Sequence, residues 1–179
     1  MPIKGEKIYL RAMEPEDLDL IFEVENSEEL WQVSATNVPV SRFAVRNFIA
    51  NTTNDIYADK QLRLMACIAG SDTPAAIADL TDFNPRHSRA EVGIAVMPGF
   101  RGKGIATDTL RTLSQYARQE LRIRMLYAVV PESNAASLAL FDKAGYSRAA
   151  VLDEWLLTDG KAENAVLFEK MLLSANPLP

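Results

Sequence analysis

The sequence holds one cysteine, Cys67, and one histidine, His87. No intrachain disulfide can form, and a zinc cluster built from Cys and His is excluded. We therefore expect no metal. No apolar run reaches the ~18 residues of a membrane span. The opening MPIKGEKIYL lacks the apolar stretch of a signal peptide. These absences read as a cytoplasmic protein with no membrane partner. Repeats, low-complexity tracts and Gly/Ser linkers are absent too. Positive charge is in deficit, with 19 Lys and Arg against 24 Asp and Glu and a net charge of −5. An acidic chain repels phosphate backbones, which disfavours nucleic acid as a partner.

What remains is an ordinary globular chain. Its 179 residues, 48% hydrophobic and 24% charged, can bury a core without staples. At roughly 150 residues per domain, one domain over residues 1–179 is expected.

The apolar pattern gives the elements. Ile8–Arg11 reads as a short strand. Pro15, Glu16 and Asp17 suit a helix start, and the helix runs to about Glu25. Residues 27–40 read as a loop, and Ser41 as the N-cap of a second helix. Leu62–Ala69, Ala75–Phe83 and Glu91–Met97 form an antiparallel meander, with a turn at 84–88. A helix follows from about Gly104 to Leu121, its apolar stripe being Ala106, Leu110, Leu113, Ala117 and Leu121. Then come a strand at Met125–Val130, a helix at Asn134–Ala144 stopped by Gly145, and strands at about 146–152 and 163–173. The class is α+β: a mixed sheet with helices on its faces.

One segment carries chemistry. Strand Val92–Met97 ends in Pro98-Gly99-Phe100-Arg101-Gly102-Lys103-Gly104, and a long helix begins at Ile105-Ala106. Backbone N–H groups at a helix start lack partners and carry partial positive charge. Gly102 and Gly104 allow close approach of a ligand, and Arg101 and Lys103 add charge. This is a phosphate site, best suited to pyrophosphate, although glycines also serve any tight turn. The segment is neither a Walker loop nor a dinucleotide fingerprint.

Arg101-x-x-Gly104-x-Ala106 resembles the acyl-CoA signature of the GNAT N-acetyltransferases. Asn134-x-x-Ser137-x-x-x-Phe141-x-x-x-Gly145-Tyr146 resembles that family's second cofactor motif. The resemblance spans about residues 7–173. Arg86-His-Ser-Arg-Ala-Glu91 and the segment Glu154-Trp155…Gly160 are similar to the branch with spermidine and ribosomal-protein N-terminal acetyltransferases.

The resemblance implies a mostly antiparallel sheet of about six to seven strands, with a splayed strand pair that binds acyl-CoA. It implies acetyl transfer from acetyl-CoA to a primary amine by direct attack through a tetrahedral intermediate. Residues Arg101, Gly102, Lys103, Gly104, Ile105 and Ala106 would hold the pyrophosphate. The backbone of Ile94, Ala95, Val96 and Met97 would take the pantetheine arm and stabilise an oxyanion. Asn134, Ser137 and Phe141 would complete the cofactor site, with Asn134 serving equally as a helix N-cap. A homo-oligomer is compatible with the resemblance.

An ammonium must lose a proton before it attacks. Glu91, at the start of the signature strand, is the first candidate base; a hairpin ion pair with Arg89 or Arg86 is the alternative. Asp79 and Asp82 come second and His87 third. Many family members protonate the leaving thiolate with a tyrosine, but its matching position here is Phe141. Ser137, Tyr127 and Tyr146 are the remaining proton sources, beside solvent. Cys67 lies in an apolar run and reads as core, so no covalent acyl-cysteine is expected.

For the acceptor, Glu23, Glu25, Glu28, Glu29, Trp31, Asp55, Tyr57 and Asp59 could line a pocket for a polyamine such as spermidine. They could equally be a solvated face. A protein N-terminus is the alternative acceptor, and a CoA-binding module without turnover is the alternative from another class.

Overall fold

The computed structural model describes residues 3–31, 38–158 and 160–173. Its eight strands are β1 (Ile3–Lys4), β2 (Ile8–Ala12), β3 (Leu62–Ile68), β4 (Pro74–Asn84), β5 (Arg89–Val96), β6 (Met125–Pro131), β7 (Ser147–Thr158) and β8 (Lys161–Met171). They form one sheet in the order β1-β2-β3-β4-β5-β6-β8-β7. Every neighbouring pair is antiparallel except β5 and β6. The expectation of six to seven strands fell short by β1, whose two residues are too few to show an alternation. The helices are α1 (Leu18–Glu25), α2 (Glu28–Trp31), α3 (Arg42–Asn51), α4 (Ile56–Asp59), α5 (Ile105–Gln119) and α6 (Ala135–Lys143). The single turns α2 and α4 fall where no helix was expected, α2 inside the segment read as loop.

Alternation along the central strands sorts the core onto two faces. Leu64 and Ala66 of β3, with Ala78 and Leu80 of β4, join Leu110, Leu113 and Ala117 of α5 and Phe141 of α6. Met65, Cys67 and Ile77 point the other way, against Ile21 of α1 and Val45 of α3. Cys67 is fully buried there, as expected of core. Ser41 caps α3 by accepting the amide of Ala44 at 3.1 Å.

The apolar stripe of α5 faces the sheet, but Asp108, Thr109, Thr112 and Ser114 are buried as well. Asp108 explains part of this: its carboxylate accepts the backbone amides of Glu6, Lys7 and Ile8 at 3.2, 2.7 and 3.1 Å. The first turn of α5 is thereby fastened to the β1–β2 hairpin. Among the described residues no helix is long and apolar enough to cross a membrane.

Candidate functional site

β5 and β6 pair over three residues only: Arg89 with Met125, Ala90 with Leu126 and Glu91 with Tyr127. Beyond this point β5 continues to Val96 against β4, and β6 continues to Pro131 against β8. The two strands part, and a cleft of about 880 Å³ opens there. Its walls are Ile94–Val96 of β5 and Met97 after it, Pro98, Phe100, Arg101, Gly102 and Gly104 of the following turn, the start of α5 at Ile105–Thr107, Asn134 at the cap of α6, and Ser137 and Leu140 within α6. Glu23 and Val24 of α1 and Glu29 of α2 close the remaining side.

One end of the cleft suits an anion. Gly102 and Gly104 have φ of +73° and +79°, a region costly to any other residue. This backbone turns the chain into α5 with no side-chain cap on the helix start. The first amide to find an acceptor within the helix is that of Asp108, on Gly104 O at 3.1 Å. The amides of Ile105, Ala106 and Thr107 precede it, and these residues line the cleft. Lys143 lines it too. Arg101 lines the cleft but is paired with Glu29. Lys103 is set back, with its ammonium on Gly99 O at 2.8 Å, and it does not line the cleft.

The free edge of β5 supplies backbone donors. Met97 gives its amide to Ala75 O of β4 at 2.9 Å, so it has none to offer a ligand. Peptide groups alternate sides along a strand. The amides of Ile94 and Val96 therefore face the cleft, while that of Ala95 faces β4. Of the expected wall Ile94, Ala95, Val96 and Met97, all four line the cleft, while the amides of Ala95 and Met97 are turned to β4 and only those of Ile94 and Val96 face the opening.

The base of the fork is acidic. Glu91 is half-buried, and its pKa is raised by burial and then by the charge of Asp82, against a smaller lowering by the Val129 amide. Tyr127 donates its hydroxyl to Asp82 Oδ2 at 2.6 Å. Burial and then that bond raise the Tyr127 pKa. Among the described residues Glu91 forms no ion pair with Arg86 or Arg89. Asp79 accepts both Nε and Nη2 of Arg63 at 2.8 Å. His87 is exposed in the β4–β5 turn and does not line the cleft.

Two placements differ from expectation. Phe141 is 6% exposed and packs on Phe168 with ring centroids 5.3 Å apart, so it belongs to the core and not to the cleft. Tyr146 is buried with its hydroxyl 3.0 Å from Ser114 Oγ, which removes it as a proton source. Ser137 lines the cleft, and its amide is capped by Asn134 Oδ1 at 3.0 Å. Asn134 Nδ2 has no acceptor among the described residues.

The expected acidic pocket is partly compensated from within: two of its carboxylates pair with arginines and two more accept hydrogen bonds. Glu25 and Asp79 both pair with Arg63, Glu29 pairs with Arg101, Asp55 caps the amide of Tyr57, and Asp59 accepts from Thr52 and Thr53. Burial opposes the charge on Arg63, but Asp79 and then Glu25 outweigh it and raise its pKa. Tyr57 packs edge-on against Phe83. The side chain of Trp31 lies outside the described residues. Sequence reasoning missed Arg63, whose signal was a cation inside an apolar run, and the Tyr127–Asp82 contact, which has no local signal. Among the described residues no group of three or more His, Cys, Asp or Glu could hold a metal ion.

Residues 7–147 match the family model of the acetyltransferase (GNAT) domain. The chain is 24% identical over 175 residues to the spermidine N(1)-acetyltransferase of Escherichia coli, covering 96% of this chain and 91% of that one. It is 26% identical over 168 residues to YdaF of Bacillus subtilis, a protein named for a proposed ribosomal N-acetyltransferase activity, covering 92% and 91% of the two chains. Its fold superposes with a TM-score of 0.81 on the spermidine N-acetyltransferase of Vibrio cholerae in complex with CoA and spermine, at 20% identity over 94% of this chain and 97% of that one.

Proposed function

The chain belongs to the GNAT family of acetyltransferases, N-acetyltransferases that draw on acetyl-CoA, and on that premise we propose that it acetylates a primary amine of a small polycation such as spermidine. We treat residues 1–179 as one catalytic domain. The observation that supports the reading is the fork. An uncapped helix start lies at one end, a strand edge with the amides of Ile94 and Val96 runs from it, and that strand leads back to Glu91, a carboxylate of raised pKa at the last paired position before the fork.

Acetyl-CoA supplies the thioester carbonyl that accepts the amine. The amides of Ile105–Thr107, with Arg101, Gly102 and Gly104, bind the diphosphate, helped by the helix dipole. The amides of Ile94 and Val96 orient the pantetheine arm and donate to the carbonyl oxygen as it gains charge. Asn134 Nδ2 adds a donor from α6. Lys103 contributes long-range charge, and Phe141 holds α6 in place from the core.

An alkyl ammonium has a pKa near 10.4, so at neutral pH it must give up a proton before its nitrogen can attack. Glu91 takes that proton, directly or through a water. Its raised pKa brings it nearer to neutrality, where a general base works best. The new C–N bond forms, the nitrogen of the tetrahedral intermediate gives its second proton to solvent, the C–S bond breaks, and the thiolate leaves. Ser137 Oγ lies on the cleft wall to donate a hydrogen bond to the departing sulfur, which then takes a proton from solvent.

Asp82, Glu91, Glu23 and Glu28 stand outside these ion pairs and can attract a cation, and the single charge of Arg63 leaves one negative charge over from Asp79 and Glu25. The Escherichia coli relative's name supports a polyamine. The Bacillus subtilis relative supports a second reading, a protein N-terminus. The test is an acceptor screen with acetyl-CoA and thiol detection. Release with spermidine or spermine supports the polyamine. Release only with peptide N-termini transfers the assignment to the second reading, and tight CoA binding with no release from any amine leaves a binding module.

A further inference from the structure

The cleft contains one ion pair, Arg101 with Glu29, whose carboxylate the chemistry above does not use. Arg101 donates through both terminal nitrogens to the two carboxylate oxygens of Glu29, each at 3.0 Å. Its Nε also reaches Val96 O at 3.3 Å. Arg101 stands on the turn before α5, and Glu29 stands on α2, which follows the helix packed on the opposite face of the sheet. Both line the cleft. The pair thus spans the cleft from the acceptor side to the diphosphate turn. A two-pronged guanidinium–carboxylate contact is the exposed geometry that carries measurable energy. A diphosphate offers the same fork more negative charge. The two anions compete for one guanidinium.

We propose that Arg101 masks Glu29 until the diphosphate of CoA takes the guanidinium, and that the released Glu29 then receives the ammonium of the acceptor. This rests on the assignment of the α5 start as the diphosphate site and names a further acceptor-binding residue for the polyamine reading. It makes the order of binding cofactor first, amine second. It also gives Glu29 two effects of opposite sign: its charge opposes CoA and favours the amine. A residue with a merely structural role would weaken both ligands when changed.

The experiment titrates the full chain calorimetrically with CoA and with pantetheine, which lacks the diphosphate. It compares the wild type, Glu29→Gln and Arg101→Ala. We expect Glu29→Gln to bind CoA about threefold tighter, the size of one exposed ion pair, and to bind pantetheine unchanged. Arg101→Ala binds CoA more weakly. In turnover with spermidine, Glu29→Gln raises KM for the amine several-fold. If Arg101→Ala weakens CoA but Glu29→Gln leaves it unchanged or weaker, the masking is overturned while the diphosphate site stands. If Arg101→Ala binds CoA as well as the wild type, the role of Arg101 falls and the masking with it. An unchanged amine KM in Glu29→Gln overturns the acceptor role alone. The CoA arm reads out without any turnover.

Discussion

Glu91 and Tyr127 face each other as the last paired residues before β5 and β6 separate. The backbone of Glu91 therefore stands where the two strands begin to part; its side chain is not part of the cleft lining, but it lies close to Asp82, with its pKa raised by burial and that neighbouring charge. If Glu91 is the base, Glu91→Gln lowers kcat about 100-fold or more, the usual range for losing general base catalysis. In the wild type the rate climbs with pH as Glu91 ionises. The variant loses that acid limb, and a pH–rate profile at saturating substrates checks both effects. A retained limb assigns the base elsewhere.

The same raised pKa has a stability consequence. The folded protein holds the proton on Glu91 more tightly than the unfolded chain does. Its favourable contribution is complete below the unfolded carboxylate value and is lost as pH rises through the folded one. Glu91→Gln should flatten this part of the pH dependence and leave stability at pH 7 equal or higher. Urea unfolding between pH 4 and pH 8 measures it, and a variant less stable at pH 7 contradicts it.

Gly104→Val tests the turn before α5. Gly104 has φ of +79°, and a Cβ there would lie 3.0 Å from Lys7 Nζ. A β-branched residue would strain the turn and crowd the approach to the Ile105–Thr107 amides. We expect CoA affinity to fall by about 2 kcal/mol or more. Calorimetric titration with CoA decides it, and unchanged affinity removes the turn from the cofactor site.

Phe141→Tyr restores the tyrosine many GNAT enzymes use, but at a position that is core in this chain. The added hydroxyl would be buried beside Phe168 and Tyr146. We expect no gain in kcat and a stability loss of about 1–3 kcal/mol. A rise in kcat would show that the ring reaches the cleft.

Asp108→Asn tests the fastening of α5 to the β1–β2 hairpin. An amide side chain presents one acceptor oxygen to three backbone donors and turns a donor group towards them. We expect a loss of about 2–3 kcal/mol, as for hydrogen bonds to a charged group. Chemical denaturation reads it, and a change below about 0.5 kcal/mol would mark the contact as incidental.

The sequence made some of this architecture legible and hid the rest for physical reasons. The α5 stripe and the glycines before it were readable because a helical period and a positive-φ turn are local properties. Phe141 misled because it stands one helical turn from Ser137, yet its ring finds a deeper contact with Phe168 on a strand far along the chain. The partial compensation of the acidic face was hidden because Arg63, Glu25 and Asp79 meet only after three segments pack together. The fork itself has no sequence signal: it is a pairing that stops after Glu91 and Tyr127. Only the family resemblance carried that expectation.

Amide hydrogen exchange with and without CoA tests the central claim most directly. The account predicts new protection at Ile105, Ala106 and Thr107 and at Ile94 and Val96, with Ala95 and Met97 already protected by β4. Slowed exchange confined to other segments, with these five amides unaffected by saturating CoA, would contradict it.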